Sequence, residues 1–327
     1  YFAENQLKDI KYIHKKATFK GSSKNLITEI FGFIQILFFM FFSRPNVIHC
    51  ISPKGILYGG LSSYIANPSR IVVAVSGLGS SYSEVSKNSY DSILMSLYEQ
   101  CLKLALSNKN LRMIVQNNED QRFFVDRKMI SEDQISLIHG SGVQLKKFKN
   151  IHPDRKESMV LLPARLIREK GIYEFVGAAK KLRSEFPDWV FMLAGAIESP
   201  RNNSIRREEV DQWANEGIIN YAGYVTDMIP LYTNASIVCL PSYYREGMPK
   251  SLLEAAAAGC AVITCDSVGC KDAILEGVTG DLVIPKDTND LHSKLRSLIK
   301  DKDRRVKYGL NGIIHAKDNF SVEMVIN

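Results

Sequence analysis

From residue 158 onward the chain alternates, at short intervals, between apolar runs of strand length and segments with helical periodicity, an order few architectures accept. It reads as strand 158–164, helix 172–186, strand 189–195, helix 205–216, strand 218–222, helix 226–234, strand 236–241, a helix after Pro249, strand 261–265, helix 271–277, strand 281–285 and a long polar helical end. Such repetition gives a parallel sheet with helices on both faces. A chain of 327 residues is long for one such unit, and two α/β domains of about 150 residues each are expected.

Upstream, Asn46 to Ser52 and Arg70 to Ser76 read as buried strands around an apolar crossover segment, 57–66, which makes a βαβ unit. Ile93, Leu94, Leu97, Tyr98, Cys101, Leu102 and Ala105 recur at helical spacing. Strands 113–115 and 135–138 follow, the second running into the tight turn His139-Gly140-Ser141-Gly142-Val143. Residues 9–14 read as a short strand. Charged residues crowd 146–157 and Pro153 disfavours helix there, which puts a domain boundary near residue 150. Residues 1–150 and 151–327 are then two domains, with ligand in the cleft where the carboxyl ends of both sheets meet. A domain of this kind usually opens with a strand and a glycine-rich turn, and neither is visible before Lys8, so the first domain is expected to lack its N-terminal strand or strands.

The run from Arg245 to Gly259 joins two of the predicted strands. Pro249 suits a first helical turn, Leu252, Leu253, Ala256 and Ala257 repeat at helical spacing, and Gly259 stands where a helix would stop. The N-terminus of that helix offers unpaired N–H groups and a partial positive charge to phosphate or sugar oxygens. Glu246, which only accepts hydrogen bonds, takes hydroxyl donors beside such a site, and Glu254 takes others one turn deeper. Arg165-Leu166-Ile167-Arg168-Glu169-Lys170-Gly171 leaves the carboxyl end of strand 158–164. Arg165 can grip phosphate oxygens bidentately and Lys170 can act as a point charge, whereas Arg168 and Glu169 read as solvated. Gly195 and Gly223-Tyr224-Val225-Thr226-Asp227 follow other strand ends and read equally as turn glycines and a helix N-cap.

The pair Glu246 and Glu254, flanked by Pro241-Ser242 and by Leu252-Leu253-Glu254-Ala255, resembles the E-x(7)-E signature of the family 4 retaining glycosyltransferases of the GT-B fold. Arg165 and Lys170-Gly171 resemble the pattern that family uses for a nucleotide diphosphate. Gln116-Asn117-Asn118-Glu119-Asp120 and Gly140-Ser141-Gly142-Val143 resemble its subgroup that builds polysaccharides, lipopolysaccharide or capsule, on lipid carriers. Three positions depart from the pattern: Gln144 and Asp272 replace the usual Asp and Glu, and Ser76-Gly77-Leu78-Gly79 lacks a histidine that many members carry.

The resemblance implies an α/β GT-B architecture of two doubly wound Rossmann-like domains facing across a cleft, the first on the acceptor side and the second binding the nucleotide sugar. It implies metal-independent transfer of a hexose or N-acetylhexosamine from a nucleotide diphosphate, expected to be UDP, to a lipid-linked or glycan acceptor. Arg165, Lys170 and Glu246 would be catalytic. The donor would be held by Gly195, Tyr224, Val225, Gly247, Met248, Ser251, Leu252 and Glu254, with the Gly247 and Met248 amides on the sugar, Tyr224 and Val225 near the base, and Glu254 on the ribose. No metal and no cofactor apart from the donor substrate is expected. The alternatives are a non-catalytic GT-B-like binding subunit, and a GT-B phosphorylase or sugar-nucleotide epimerase.

Hydrophobic content of 45% can fill two cores, and six cysteines without a C-x-x-C pair read as reduced core residues of a cytoplasmic protein. The net charge of +7 is concentrated early: Lys8, Lys11, Lys15, Lys16, Lys20 and Lys24 face only Glu4 and Asp9. Without aromatic-basic interleaving or zinc spacing this argues against nucleic acid and for an anionic membrane surface. The apolar stretch from Leu26 to Phe42 contains Thr28, Glu29, Gly32 and Gln35 and is short for a span. It reads either as a buried crossover helix or as a helix whose phenylalanines (31, 33, 38, 39, 41 and 42) lie in a bilayer interface, on the inner face of the cytoplasmic membrane.

Overall fold

The computed structural model describes residues 26–78, 89–149, 151–197 and 203–326. The strand expected at 9–14, the lysine-rich start, and Gly79 and Ser80 lie outside them. The first sheet is parallel throughout, in the order β1 (Val47–Ile51), β2 (Arg70–Val75), β3 (Leu111–Val115), β4 (Ile135–Leu137). Ile71, Val73, Met113 and Val115 are fully enclosed, as strands covered on both faces require. Helix α1 (Leu26–Ser43) precedes β1, and α2 (Pro53–Ala66), α3 (Ser89–Leu106) and α4 (Asn118–Asp126) connect the strands. Asn117 starts α4, its side chain accepting the N–H of Asp120 at 2.7 Å, which ends β3 and begins the helix within three residues.

The buried-crossover reading of α1 is corrected. The helix packs along α2, where Glu29 accepts from Lys54 at 2.6 Å and from the Tyr58 hydroxyl at 2.5 Å, but Ile27, Ile30, Phe31, Phe38, Phe41 and Phe42 remain exposed. No helix among the described residues is long and apolar enough to cross a membrane.

The second sheet is also parallel and runs β10 (Gly280–Val283), β9 (Ala261–Cys265), β8 (Ala235–Leu240), β5 (Glu157–Pro163), β6 (Val190–Ala194), β7 (Asn220–Gly223). Alternate residues of its central strands feed two cores. Val160, Leu162, Ile237, Cys239 and Ile263 face the side of α5 (Ile172–Leu182) and α9 (Thr288–Lys300). Met159, Leu161, Val238, Leu240 and Val262 face α8 (Lys250–Ala257) and α10 (Lys302–Asn319). That period-two division is what double winding means in side chains. The strand order reverses between β5 and β8, the kind of switch point at which open α/β sheets bind ligands. Helices α6 (Arg207–Asn215), α7 (Ile229–Asn234) and α11 (Val322–Ile326) complete the set among the described residues.

The helix expected at 271–277 is a single 3-10 turn, Lys271–Ala273. Ile274 is extended, the Thr279 hydroxyl takes the N–H of Leu275 at 2.8 Å, and Gly277 at φ 71° turns the chain into β10. Cys50, Cys239, Cys260, Cys265 and Cys270 are free and buried, and Cys101 is half-buried.

Candidate active site

Two loops leave the carboxyl ends of β5 and β8, and they bring two opposite charges, those of Lys170 and Glu246, together. From β5 the chain makes a 3-10 turn, Arg168–Lys170, into α5. Gly171 closes it at φ 74°, where a Cβ would lie 2.3 Å from the Pro241 carbonyl oxygen at the end of β8. Only glycine lets the two strand ends approach this closely, and Lys170 is thereby held inward at 8% exposure. Its ammonium contacts Glu246 Oε1 directly. The Ser242 hydroxyl lies 3.1 Å from the same oxygen, and Lys170 sits 5.5 Å over the Tyr244 ring. The charges of Lys170 and Glu246, 76 positions apart, thus offset each other in a nearly dry setting. Arg165 leaves the same strand end and is exposed.

Beneath Glu246, Cys270 is fully buried, and burial, followed by the Glu246 charge, pushes its thiol up to about 12. It is therefore a neutral wall, not a nucleophile. Asp272, in the place of the usual Glu, accepts the Gly269 N–H at 3.2 Å, and burial raises its carboxyl above the ordinary range.

Glu254 does not face Lys170. It lies on α8, 3.7 Å from the Lys250 ammonium one turn earlier, and with Lys250, Tyr232, Met228, Thr226 and Lys147 it lines a cavity of about 430 Å³. Burial first, then the Glu254 charge, drives the Tyr232 phenol well above its ordinary value. Val225 packs on the core beside this cavity, and Tyr224 is exposed. Ser251 is half-buried. Gly195 closes β6, with its N–H on the Gly223 carbonyl at 2.8 Å.

Three of the residues expected at the donor are engaged within the protein. Leu252 is fully buried and its N–H donates to the Pro249 carbonyl at 3.0 Å, so the residue is core. The Gly247 and Met248 amides, expected to meet the donor sugar, are taken: Gly247 N–H donates to the Ser76 carbonyl at 3.1 Å and Met248 N–H to Gln116 Oε1 at 3.0 Å. Both acceptors belong to the first sheet's strand ends. The reason is close packing, since a Cβ on Gly247 would fall 2.3 Å from Gln116 Oε1.

The first half contributes more than those two acceptors, and these residues carry no role in the sequence reading. Asn117 Nδ2 donates to the carbonyls of Gly247 at 2.9 Å and Glu246 at 3.3 Å. Arg245 reaches the fully buried Asp120 at 2.9 and 3.0 Å, and Lys271 pairs with Glu119 at 2.7 Å. Burial raises the Asp120 carboxyl while Arg245 opposes that rise. An acid and an amide in the first turn of a helix look like ordinary capping residues, so only their place in the fold marks them.

The model of the glycosyl transferases group 1 family matches residues 143–314, more than half of the chain. The chain belongs to the group 1 glycosyl transferases. A relative in Campylobacter jejuni, N,N'-diacetylbacillosaminyl-diphospho-undecaprenol alpha-1,3-N-acetylgalactosaminyltransferase, is 30% identical over 282 residues, covering 81% of this chain and 71% of that protein. The capsular polysaccharide biosynthesis glycosyltransferase CapM of Staphylococcus aureus is 22% identical, covering 92% of this chain and 79% of its own. Among solved structures, Anabaena HepE in complex with UDP superposes with a TM-score of 0.71 at 17% identity, covering 90% of this chain and 79% of that one, a likeness of fold. The GT-B architecture and the glycosyltransferase family expected from the two glutamates and the Arg165–Lys170 loop are therefore borne out, and the protein is a group 1 glycosyl transferase.

Proposed function

We propose that the protein is a retaining transferase that moves a hexose or N-acetylhexosamine from a UDP-sugar to a hydroxyl of a lipid-linked or glycan acceptor in surface polysaccharide synthesis. The observation that carries this reading is the enclosed Lys170–Glu246 contact at the switch point of the second sheet. With a division near residue 150, residues 1–150 hold the acceptor and 151–327 the donor. The activities for which the two relatives are named, on a diphospho-undecaprenol acceptor and in capsule synthesis, support the acceptor class.

In this reading the β-phosphate of the donor enters beside Lys170. An ammonium has three N–H donors, so Lys170 keeps Glu246 and still binds a phosphate oxygen, with Arg165 at the mouth of the same loop. As the bond between the anomeric carbon and the phosphate oxygen breaks, negative charge grows on the diphosphate and both cations stabilise it. The acceptor oxygen bonds to the anomeric carbon on the face the phosphate leaves, and its proton passes to the departing phosphate oxygen. Glu246 orients sugar hydroxyls, Glu254 takes the ribose hydroxyls from its cavity, and Tyr224 and Val225 border the base. In the closed arrangement the Gly247 and Met248 amides serve the first domain, so Ser251 and the start of α8 are left to the donor.

Calorimetry with UDP and initial rates with the donor sugar test the assignment. Glu254→Ala should weaken UDP by roughly 1.5–3 kcal/mol, the worth of hydrogen bonds to a charged group. Glu246→Ala should leave UDP affinity nearly unchanged and lower turnover. The reverse pattern would refute the division of labour, and full-length protein that neither binds nor turns over any nucleotide sugar would refute the function.

We place the protein at the inner face of the cytoplasmic membrane, with the exposed phenylalanines of α1 in the lipid interface and the lysines before it on anionic headgroups.

A further inference from the structure

Four consecutive residues around the site glutamate are each held by the other half of the molecule. Arg245 is fixed by its side chain, Nε and Nη2 both meeting Asp120 Oδ1. Glu246 and Gly247 are fixed by their carbonyls on Asn117 Nδ2, and Gly247 and Met248 by their N–H groups on Ser76 and Gln116. The Asn117 amide has no choice of orientation: its oxygen caps α4 through the Asp120 N–H, so its nitrogen must point at the loop. Asp120 is equally committed, one oxygen to Asn117 at 3.1 Å and the other to Arg245, with the Phe123 ring 5.2 Å from the Arg245 guanidinium.

We propose that Asn117, Asp120 and Arg245 are positioning residues for sugar transfer: Asn117 directly, and Asp120 through Arg245, set the backbone on both sides of Glu246 from the first domain, so that its carboxylate takes its working place at Lys170 only when the two halves are closed. The proposal rests on the function given above. Burying the Asp120 carboxylate costs desolvation that a surface pair would avoid; in return the first domain holds the backbone at 245–248, while Glu169 and Ser267 of the second hold residues 242–244. Donor affinity and chemistry are thereby separated. Nucleotide binding draws on Lys170 and Glu254, both in the second domain, whereas productive placement of Glu246 draws on the first.

The test uses the full chain with Asn117→Ala, Asp120→Asn, Arg245→Lys and the double variant D120N/R245K, measuring kcat, donor KM, UDP affinity by calorimetry and the melting midpoint. Asp120→Asn and Arg245→Lys should each lower kcat about 10–100-fold, the loss expected of a hydrogen bond between charged partners, and Asn117→Ala about 2–10-fold, that of bonds to neutral carbonyls, with donor KM and UDP Kd changing less than about threefold. The double variant should be no slower than the slower single, because both residues act through one contact. Arg245→Lys keeps the charge and most of the stem, and so tests the idea even if Asp120→Asn destabilises the fold. Variants that match an active wild type would overturn the proposal, as would UDP affinity falling in step with kcat, which marks a tie that merely folds the site. A wild type inactive with every nucleotide sugar would instead overturn the function on which the proposal rests.

Discussion

Gly195→Ala tests whether the loop after β5 owes its position to a missing side chain. A Cβ at Gly195 would lie 1.7 Å from the Ala164 carbonyl oxygen and 2.7 Å from its carbon, where real Cβ atoms essentially never come within 3.0 Å. The gap to the oxygen must therefore open by about 1.3 Å, the shortfall of its 1.7 Å from that 3.0 Å floor. Backbone conformation is not the constraint, because Gly195 is not among the positive-φ glycines. Little around it can give: its N–H is on the Gly223 carbonyl at 2.8 Å, its carbonyl takes the Tyr221 hydroxyl at 3.0 Å, and the Ala164 N–H is on Ala194 at 3.0 Å. The movement falls on the peptide that starts the Arg165–Lys170 loop. Misplacing a catalytic group by about 1 Å costs roughly 10²-fold in rate. Overpacking costs about 1–3 kcal/mol, and at roughly 2–4 °C per kcal/mol for a domain of this size the midpoint should fall by roughly 2–12 °C. Initial rates at saturating donor and a calorimetric melt give both numbers. Turnover within about twofold of wild type and an unmoved midpoint would show that the 164–165 peptide shifts freely, and the reasoning would fail.

Glu185, exposed, accepts from Arg296 at 2.6 Å and lies 2.7 Å from the Lys300 ammonium, and these bonds hold its pKa down to about 2 from an ordinary 4.5. A depressed carboxylate stabilises the fold above its unfolded value and loses that contribution as pH falls through its folded value. Glu185→Gln should thus melt lower than wild type at pH 7, with the gap closing between 4.5 and about 2 and shrinking in salt; a gap unchanged across that window refutes the pairing. Full-length protein should float with anionic liposomes, weakly at high salt, and Phe38→Ser with Phe42→Ser should reduce flotation; flotation indifferent to lipid charge and to both substitutions refutes the membrane placement. Turnover should survive EDTA, with Arg165 and Lys170 supplying the positive charge; activity lost with chelator and restored by magnesium or manganese refutes it.

The second sheet was legible because its strands are buried on both faces and so announce themselves as continuous apolar runs, as in Ser236 to Leu240. The loop positions of Lys170 and Glu246 were legible too, since each sits in a loop whose flanking glycine or proline marks a strand-to-helix turn. The short segment after β9 was not, because Ala273, Ile274 and Leu275 look helical until Thr279 claims the Leu275 amide. Nor was the hold of Asn117 and Asp120 on residues 245–248. It spans about 125–130 positions and depends on how two sheets face each other, a relation that neither periodicity nor local capping encodes. The exposure of α1 was open for the same reason, as its phenylalanines suit a core and a lipid surface equally.

The buried cysteines have a use that nothing in their packing requires. Burial raises the Cys50 thiol to about 11 and those of Cys239, Cys260 and Cys265 as well, so each is both shielded and unionised while its surroundings stay shut. Alkylation of any one therefore waits for a local opening. Cys50 belongs to the first sheet and Cys239 to the middle of the second, while Cys270 lies against the Ser242 carbonyl at the floor of the site. Half-buried Cys101 supplies a faster reference. Without any introduced label, the molecule thus carries three separate clocks, timing the breathing of each half and of the loop between them.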